Sequence, residues 1–258
     1  MSHKLNIAIV QSHLHWENPK DNRKMFGEKI NSMPDNVDLI VLPEMFTSGF
    51  TMKPERLDMA EGDQTLNWMK KMAKERNSAI SGSTVYQENN HYFNRLFFVY
   101  PDGTFKSYDK KHSFTLAGED EAYTAGKEKL VLEYKGFRVC PLICYDLRFP
   151  VWARNVEGYD ILFYVANWPK PRIAAWDTLL KARAIENMAY CIGVNRVGED
   201  GLGYEYPGHS AVYDCLGEQM GYSEKDEIVY ATLSKEHIES TRNKLRFLDD
   251  RDRFSLIV

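Results

Sequence analysis

Nine apolar runs of strand length recur along the chain: LNIAIVQ, VDLIVLP, SAISGSTVY, YFNRLFFVY, FRVCPLIC, DILFYVAN, AYCIGVNRV, HSAVYD and EIVYATL. They are rich in Val, Ile, Tyr and Phe and are bounded by turn residues, which is the composition of strands. Fewer helical stretches lie between them. GDQTLNWMKKMAKERN is expected to start on an N-cap at Asp63 and to place Leu66, Met69 and Ala73 on one face. RIAAWDTLLKARAIENMAY repeats that spacing with Ile173, Trp176, Leu180 and Ala184, and PKDNRKMFGEKINSM and FPVWARNVEG read as two more helices. Two hairpins are expected, through QENNH and PDGT. This order predicts an α/β protein whose sheets include antiparallel parts. No Ser/Pro/Gly-rich linker, composition break or fixed-period repeat divides it, so one domain over residues 1–258 is expected. The charged and then apolar tail, RNKLRFLDDRDRFSLIV, is expected to pack back on that domain or to reach a partner subunit.

The totals narrow the function classes. Hydrophobic residues make up 43% of the 258 residues and charged ones 27%, enough apolar material for a sizeable core. A net charge of −4 offers no basic face for nucleic acid and no polybasic patch for a membrane. A small-molecule or protein partner is therefore favoured. The apolar run near the start, in MSHKLNIAIVQSHLHWENPK, is too short for a secretory core or a bilayer span, so a cytoplasmic protein is expected. Four cysteines make no disulfide framework in a chain of this length. Cys140 and Cys144 would share a face of an extended run but stand about 13 Å apart, beyond disulfide reach, and no metal site is expected there.

The polar residues just past three strand ends carry the chemistry. Functional groups in α/β proteins collect beyond the carboxyl ends of strands, where loops vary while the sheet holds their roots. VDLIVLPEMF delivers Glu44 there, GTFKSYDKKHSF delivers Lys110 or Lys111, and FRVCPLICYDLRFP delivers Cys144. Adjacent residues on a strand face opposite ways, so only one of the two lysines is expected to be used. A thiol near its free pKa is mostly protonated at neutral pH, and a carboxylate can take its proton. An ammonium beside the pair can stabilise the oxyanion that forms when sulfur attacks a carbonyl or nitrile carbon.

LPEMF, YDKKH and ICYDLRFP resemble, in order and spacing, the Glu, Lys and Cys signatures of the nitrilase superfamily of carbon–nitrogen hydrolases. The downstream block NWPKPRIAAWDTLLKARAIENMAYCIGVNRVG is similar to its omega-amidase branch, and PGHSAVYDCLGE to the strand and turn that follow, so the resemblance covers almost the whole chain. It implies a four-layer α-β-β-α sandwich, usually paired as a homodimer or higher oligomer. It implies no metal or organic cofactor. Its Lys-x-His pattern selects Lys110, two residues before His112. It implies Glu44 as general base, Lys110 as oxyanion stabiliser and Cys144 as nucleophile, with the backbone N–H of Tyr145 as a second donor. The expected reaction is hydrolysis of a dicarboxylic ω-monoamide such as 2-oxoglutaramate or 2-oxosuccinamate through a thioester, with ammonia released. Nitriles and N-carbamoyl amines are rival substrates for the same triad. A catalytically silent metabolite-binding protein on this fold is the rival outside enzymes.

The superfamily often adds a second glutamate after the lysine. GEDEAYTAG offers two, of which counting back from Gly126 favours Glu121, with Glu119 the alternative. The resemblance implies that Arg148 supports the cysteine turn through a buried ion pair, with an exposed surface arginine the alternative. Asn167 and Trp168 follow the end of DILFYV and can line a pocket, unless Trp168 simply packs on Pro169. Arg172 either binds a substrate carboxylate or faces water at the start of a helix. Met45, Phe46 and Phe50 are expected as pocket wall, with core packing the alternative. His209, Glu186 and Asn187 are read as structural.

Overall fold

The computed structural model describes residues 3–255, so the last three residues of the expected apolar tail, 256–258, lie outside the described residues. All nine runs form strands. In chain order the elements open with β1 (Lys4–Gln11), α1 (Pro19–Asn31), β2 (Leu39–Val41), α2 (Glu61–Arg76) and β3 (Ala79–Glu88). A hairpin links β3 to β4 (His91–Val99), and another links β4 to β5 (Phe105–Asp109). Asn89 and Asn90 carry φ of 50° and 62° in the first of these turns, the left-handed pair that a two-residue hairpin needs. After a single helical turn, α3 (Glu119–Ala122), come β6 (Leu132–Tyr134) and β7 (Phe137–Ile143), then α4 (Pro150–Ala153) and β8 (Ile161–Val165). The chain continues through α5 (Ile173–Asn187), β9 (Tyr190–Val194) and a small hairpin of β10 (Val197–Glu199) and β11 (Glu205–Pro207). β12 (Ser210–Tyr213), β13 (Gln219–Ser223), β14 (Glu227–Ser234) and α6 (Lys235–Leu245) complete it.

Two six-stranded sheets result, ordered β14-β1-β2-β3-β4-β5 and β13-β12-β9-β8-β7-β6. Each has two parallel pairings in its middle, β1-β2-β3 in one and β7-β8-β9 in the other, and antiparallel pairings outside them. Read from β14 and from β6, the two sheets carry the same sequence of pairings.

Strand alternation assigns the layers. Leu5, Ile7 and Ile9 of β1 and Leu96 and Phe98 of β4 join one core with Val139, Ile161 and Phe163 of the second sheet. Their neighbours Ala8, Val10, Phe97 and Val99 point the other way, against Phe26 and Ile30 of α1 and Leu66, Met69 and Ala73 of α2. The strands read as continuous apolar runs because both faces are buried. Each fully buried Leu, Ile or Phe among them contributes about 1.5–3 kcal/mol. On the far side, α5 lies so close to β9 that a Cβ at Gly193 would come within 2.3 Å of Leu180. The order is helices, sheet, sheet, helix, the four layers expected.

Two local expectations are corrected. α2 begins at Glu61 rather than after Asp63, which sits in its first turn and accepts a hydrogen bond from the Tyr86 hydroxyl at 2.9 Å. FPVWARNVEG makes only the single turn α4, because the side chain of Asn187 takes the Asn155 N–H (2.9 Å) and pins the chain before a second turn forms. The charged part of the tail packs back on its own chain, with Arg242 Nη1 3.0 Å from Asp160 Oδ1. Among the described residues no helix is long and apolar enough to cross a membrane.

Candidate active site

β2, β5, β7 and β8 all end at the same edge of the sandwich, and each delivers one polar residue there. Glu44 follows β2 in a segment fastened to β3: the backbone N–H groups of Leu42, Met45 and Phe46 donate to Ser81 O (2.7 Å), Ser83 Oγ (2.9 Å) and Ser83 O (3.1 Å). Gly82 makes the approach possible, since a Cβ there would stand 2.9 Å from Leu42 Cβ and 3.0 Å from the Phe46 ring. Glu44 is fully buried. Its Oε1 accepts from Lys110 Nζ (2.9 Å) and Asn94 Nδ2 (2.8 Å), and its Oε2 from the Asn167 N–H (2.8 Å).

Lys110 follows β5, tied by its N–H to Asn94 O at 3.0 Å. Its Nζ also lies 2.9 Å from both oxygens of Glu119. Burial alone would pull this ammonium down, but Glu119 and Glu44 outweigh it and hold Lys110 above the ordinary lysine range. It is a fixed cation at any working pH. Burial lifts the Glu119 carboxyl, with Lys110 pulling against it and Glu44 adding to it.

Cys144 ends β7 at the sharp entry to a short 3-10 turn, with φ of 43°. A left-handed backbone costs a non-glycine residue of the order of 1 kcal/mol and persists only where its surroundings enforce it. Here they do. Asp146 Oδ2 accepts the Ile143 N–H (3.0 Å) and the Tyr108 hydroxyl (2.7 Å), while Oδ1 accepts the N–H of His112 (3.0 Å) and pairs with its Nδ1 (2.8 Å). One carboxylate therefore joins the cysteine turn to the segment that carries Lys110. Burial pushes the Cys144 thiol well above its ordinary range; the neighbouring charge of Glu44 pushes it further and Lys110 opposes. Cys140, also free and buried, is pushed up to about 12 by burial and has no such partner.

Above the sulfur opens a cavity of about 350 Å³. Four residues expected near substrate, Phe50, Tyr145, Trp168 and Arg172, line it, together with Asn167. Trp168 is oriented by a two-way amide clasp with Asn195, accepting and donating at 2.9 and 2.8 Å. Arg172 lies over the Phe114 ring (4.9 Å) rather than in water, and Arg148 lies over the Trp168 ring (4.9 Å).

Several expectations are corrected by this geometry. Glu121 is exposed and Glu119 is the glutamate in the cluster, because two steps around the single turn α3 rotate a side chain by about 200°, to the opposite face. Arg148 makes no ion pair with Asp146, whose four contacts are taken by Ile143, Tyr108 and His112; it is cavity wall. Met45 and Phe46 are core, the second packed with α1 and α2, and only Phe50 of the three reaches the cavity. Lys111 is half-buried beside the Trp152 ring at 5.6 Å, on the other side from Lys110. His209 pairs with Asp177 at 3.0 Å, away from the cavity lining. Asn94 went unnoticed in the sequence, where the one signal was a short amide inside the apolar run YFNRLFFVY. Among the described residues no group of three or more His, Cys, Asp or Glu could hold a metal ion.

The sequence matches the carbon–nitrogen hydrolase family over residues 6–243. It is 42% identical to the omega-amidase YafV of Escherichia coli (strain K12), over 98% of each chain, and 32% identical to the 2-oxoglutaramate amidase of Bacillus subtilis (strain 168), over 96% of this chain and 97% of that one. The fold is similar to the crystal structure of XC1258 from Xanthomonas campestris, a CN-hydrolase superfamily protein with an arsenic adduct in its active site, at a TM-score of 0.95 and 40% identity, covering 98% of this chain and 99% of that one.

Proposed function

The chain belongs to the carbon–nitrogen hydrolase family, and from that premise we propose that it hydrolyses the terminal carboxamide of small dicarboxylate monoamides, 2-oxoglutaramate and 2-oxosuccinamate among them, through a thioester on Cys144. The observation that carries this reading is the buried Glu44–Lys110 pair (2.9 Å) beside Cys144, which lines a cavity whose wall includes Arg148 and Arg172. Glu44 takes the thiol proton as sulfur bonds to the amide carbon. The carbonyl oxygen becomes an oxyanion that Lys110 and the Tyr145 N–H receive; Lys110 can turn toward it one of the hydrogens it shares with Glu119. Glu44 then returns the proton to nitrogen, the C–N bond breaks, and ammonia leaves. Water attacks the thioester, giving its proton to Glu44; the C–S bond breaks and the carboxyl product departs while sulfur regains the proton. Glu119 and Asn94 keep Lys110 and Glu44 in register.

The far carboxylate of such a substrate fits the two guanidiniums, which are held by aromatic faces and form no ion pair among the described residues. The wider reading is of one cytoplasmic domain that pairs as a homodimer or larger assembly, for which light scattering is the check. The activity is tested by ammonia release from 2-oxoglutaramate and 2-oxosuccinamate beside an aliphatic nitrile and an N-carbamoyl amine. Turnover of either rival in preference to the ω-amides would overturn the substrate class. Cys144→Ala should lower turnover by about 10⁴-fold or more while the protein stays folded. An unchanged rate would mean that sulfur 144 is not the nucleophile.

A further inference from the structure

We infer that Asn167 recognises the leaving nitrogen itself: its Oδ1 accepts a hydrogen bond from the –NH2 of the carboxamide and so selects primary amides over acyl compounds that lack an N–H. This rests on the attack by Cys144 proposed above and adds the residue that sorts the leaving group. Asn167 is 5% exposed and lies just beyond β8 in the cavity lining. Both of its donors face Glu44: the backbone N–H bonds Glu44 Oε2 at 2.8 Å, and Nδ2 bonds the Glu44 carbonyl oxygen at 2.6 Å. That second contact fixes which way round the amide stands, because exchanging Oδ1 and Nδ2 would set two acceptors against each other. The remaining atom, Oδ1, is buried and has no partner among the described residues. Buried acceptors are nearly always paired, and an unpaired one on a residue that lines the same cavity as Cys144 is a place made for a donor.

The substrate's own chemistry supplies it. A primary carboxamide carries two N–H groups, whereas a nitrile nitrogen and the alkoxy oxygen of an ester carry none. Asn167 is anchored to Glu44 by its donors while its one free acceptor is left for the substrate nitrogen. Rejection is then built in, since a substrate without N–H leaves the buried acceptor unsatisfied.

The test compares kcat/KM for a primary amide and for the methyl ester of the same acid, on whichever acyl group the wild-type enzyme turns over best, so that an error in the dicarboxylate assignment leaves the comparison intact. Asn167→Ala should depress the amide rate at least about tenfold more than the ester rate. Equal losses would mean that Asn167 only holds Glu44, and would overturn the inference. A second measurement keeps Asn167 in place: Cys144→Ala protein should bind the primary amide at least about tenfold more tightly than the methyl ester by calorimetry. Equal affinities would overturn it as well.

Discussion

The floor and the mouth of the cavity are built on opposite principles. At the floor every charge is paired and buried: Glu44, Glu119 and Lys110 are 0%, 1% and 3% exposed, and the chain that carries them is bonded to strands β3 and β4. At the mouth, two large apolar residues stand largely in solvent, Leu116 at 81% and Leu202 at 66% exposure, on the short turns 115–117 and 200–204. Reacting atoms have to be placed to within a fraction of an ångström, which sheet ends provide. Selecting a substrate needs only a few contacts on loops that can vary without disturbing the sheets.

The sharpest way to break this contrast is at Glu44. Glu44→Gln should lower kcat about 10²–10⁴-fold by removing the proton carrier. It should also move the pH midpoint for alkylation of Cys144 downward, because the carboxylate charge that holds the thiol up is gone. Iodoacetamide labelling across pH reads the shift; an upward movement would mean that Glu44 does not face the sulfur. Next in size is the pair of neighbouring glutamates. Glu119→Ala leaves Lys110 with half its partners and should cost about 3–5 kcal/mol in denaturant titration, with most activity lost. Glu121→Ala should stay within about 0.5 kcal/mol and near wild-type rates. Reversal of that order would put the second glutamate back at 121. The smallest effects belong to the mouth. Arg172→Ala should raise KM for an ω-monoamide roughly 10- to 100-fold with kcat changed less than about threefold, as expected for loss of one charge-assisted contact. Leu116→Ala should alter kcat/KM by no more than about twofold.

The same contrast explains what could be read from the sequence. Runs buried on both faces announce themselves as strands, and polar residues at their ends, Glu44, Lys110 and Cys144, stand out against them. Placement around a turn leaves no such mark: choosing between Glu119 and Glu121 needs the rotation of α3, which counting from Gly126 does not measure. The hairpin of β10 and β11 has strands of three residues in a polar stretch, too short for periodicity to register. The ion pair that the resemblance implies for Arg148 does not form with the nearby Asp146, and no spacing in the sequence reveals that this carboxylate is filled from 108, 112 and 143.

The strand beside β1 is β14, drawn from residues 227–234, while the other five strands of that sheet lie between residues 4 and 109. During synthesis, then, β1 waits with one flank open until more than 200 further residues have been made. Contacts spanning more than 200 positions fold slowly. The nascent chain should consequently depend on holding chaperones, and internal deletions near residue 230 should yield aggregates rather than a smaller working hydrolase.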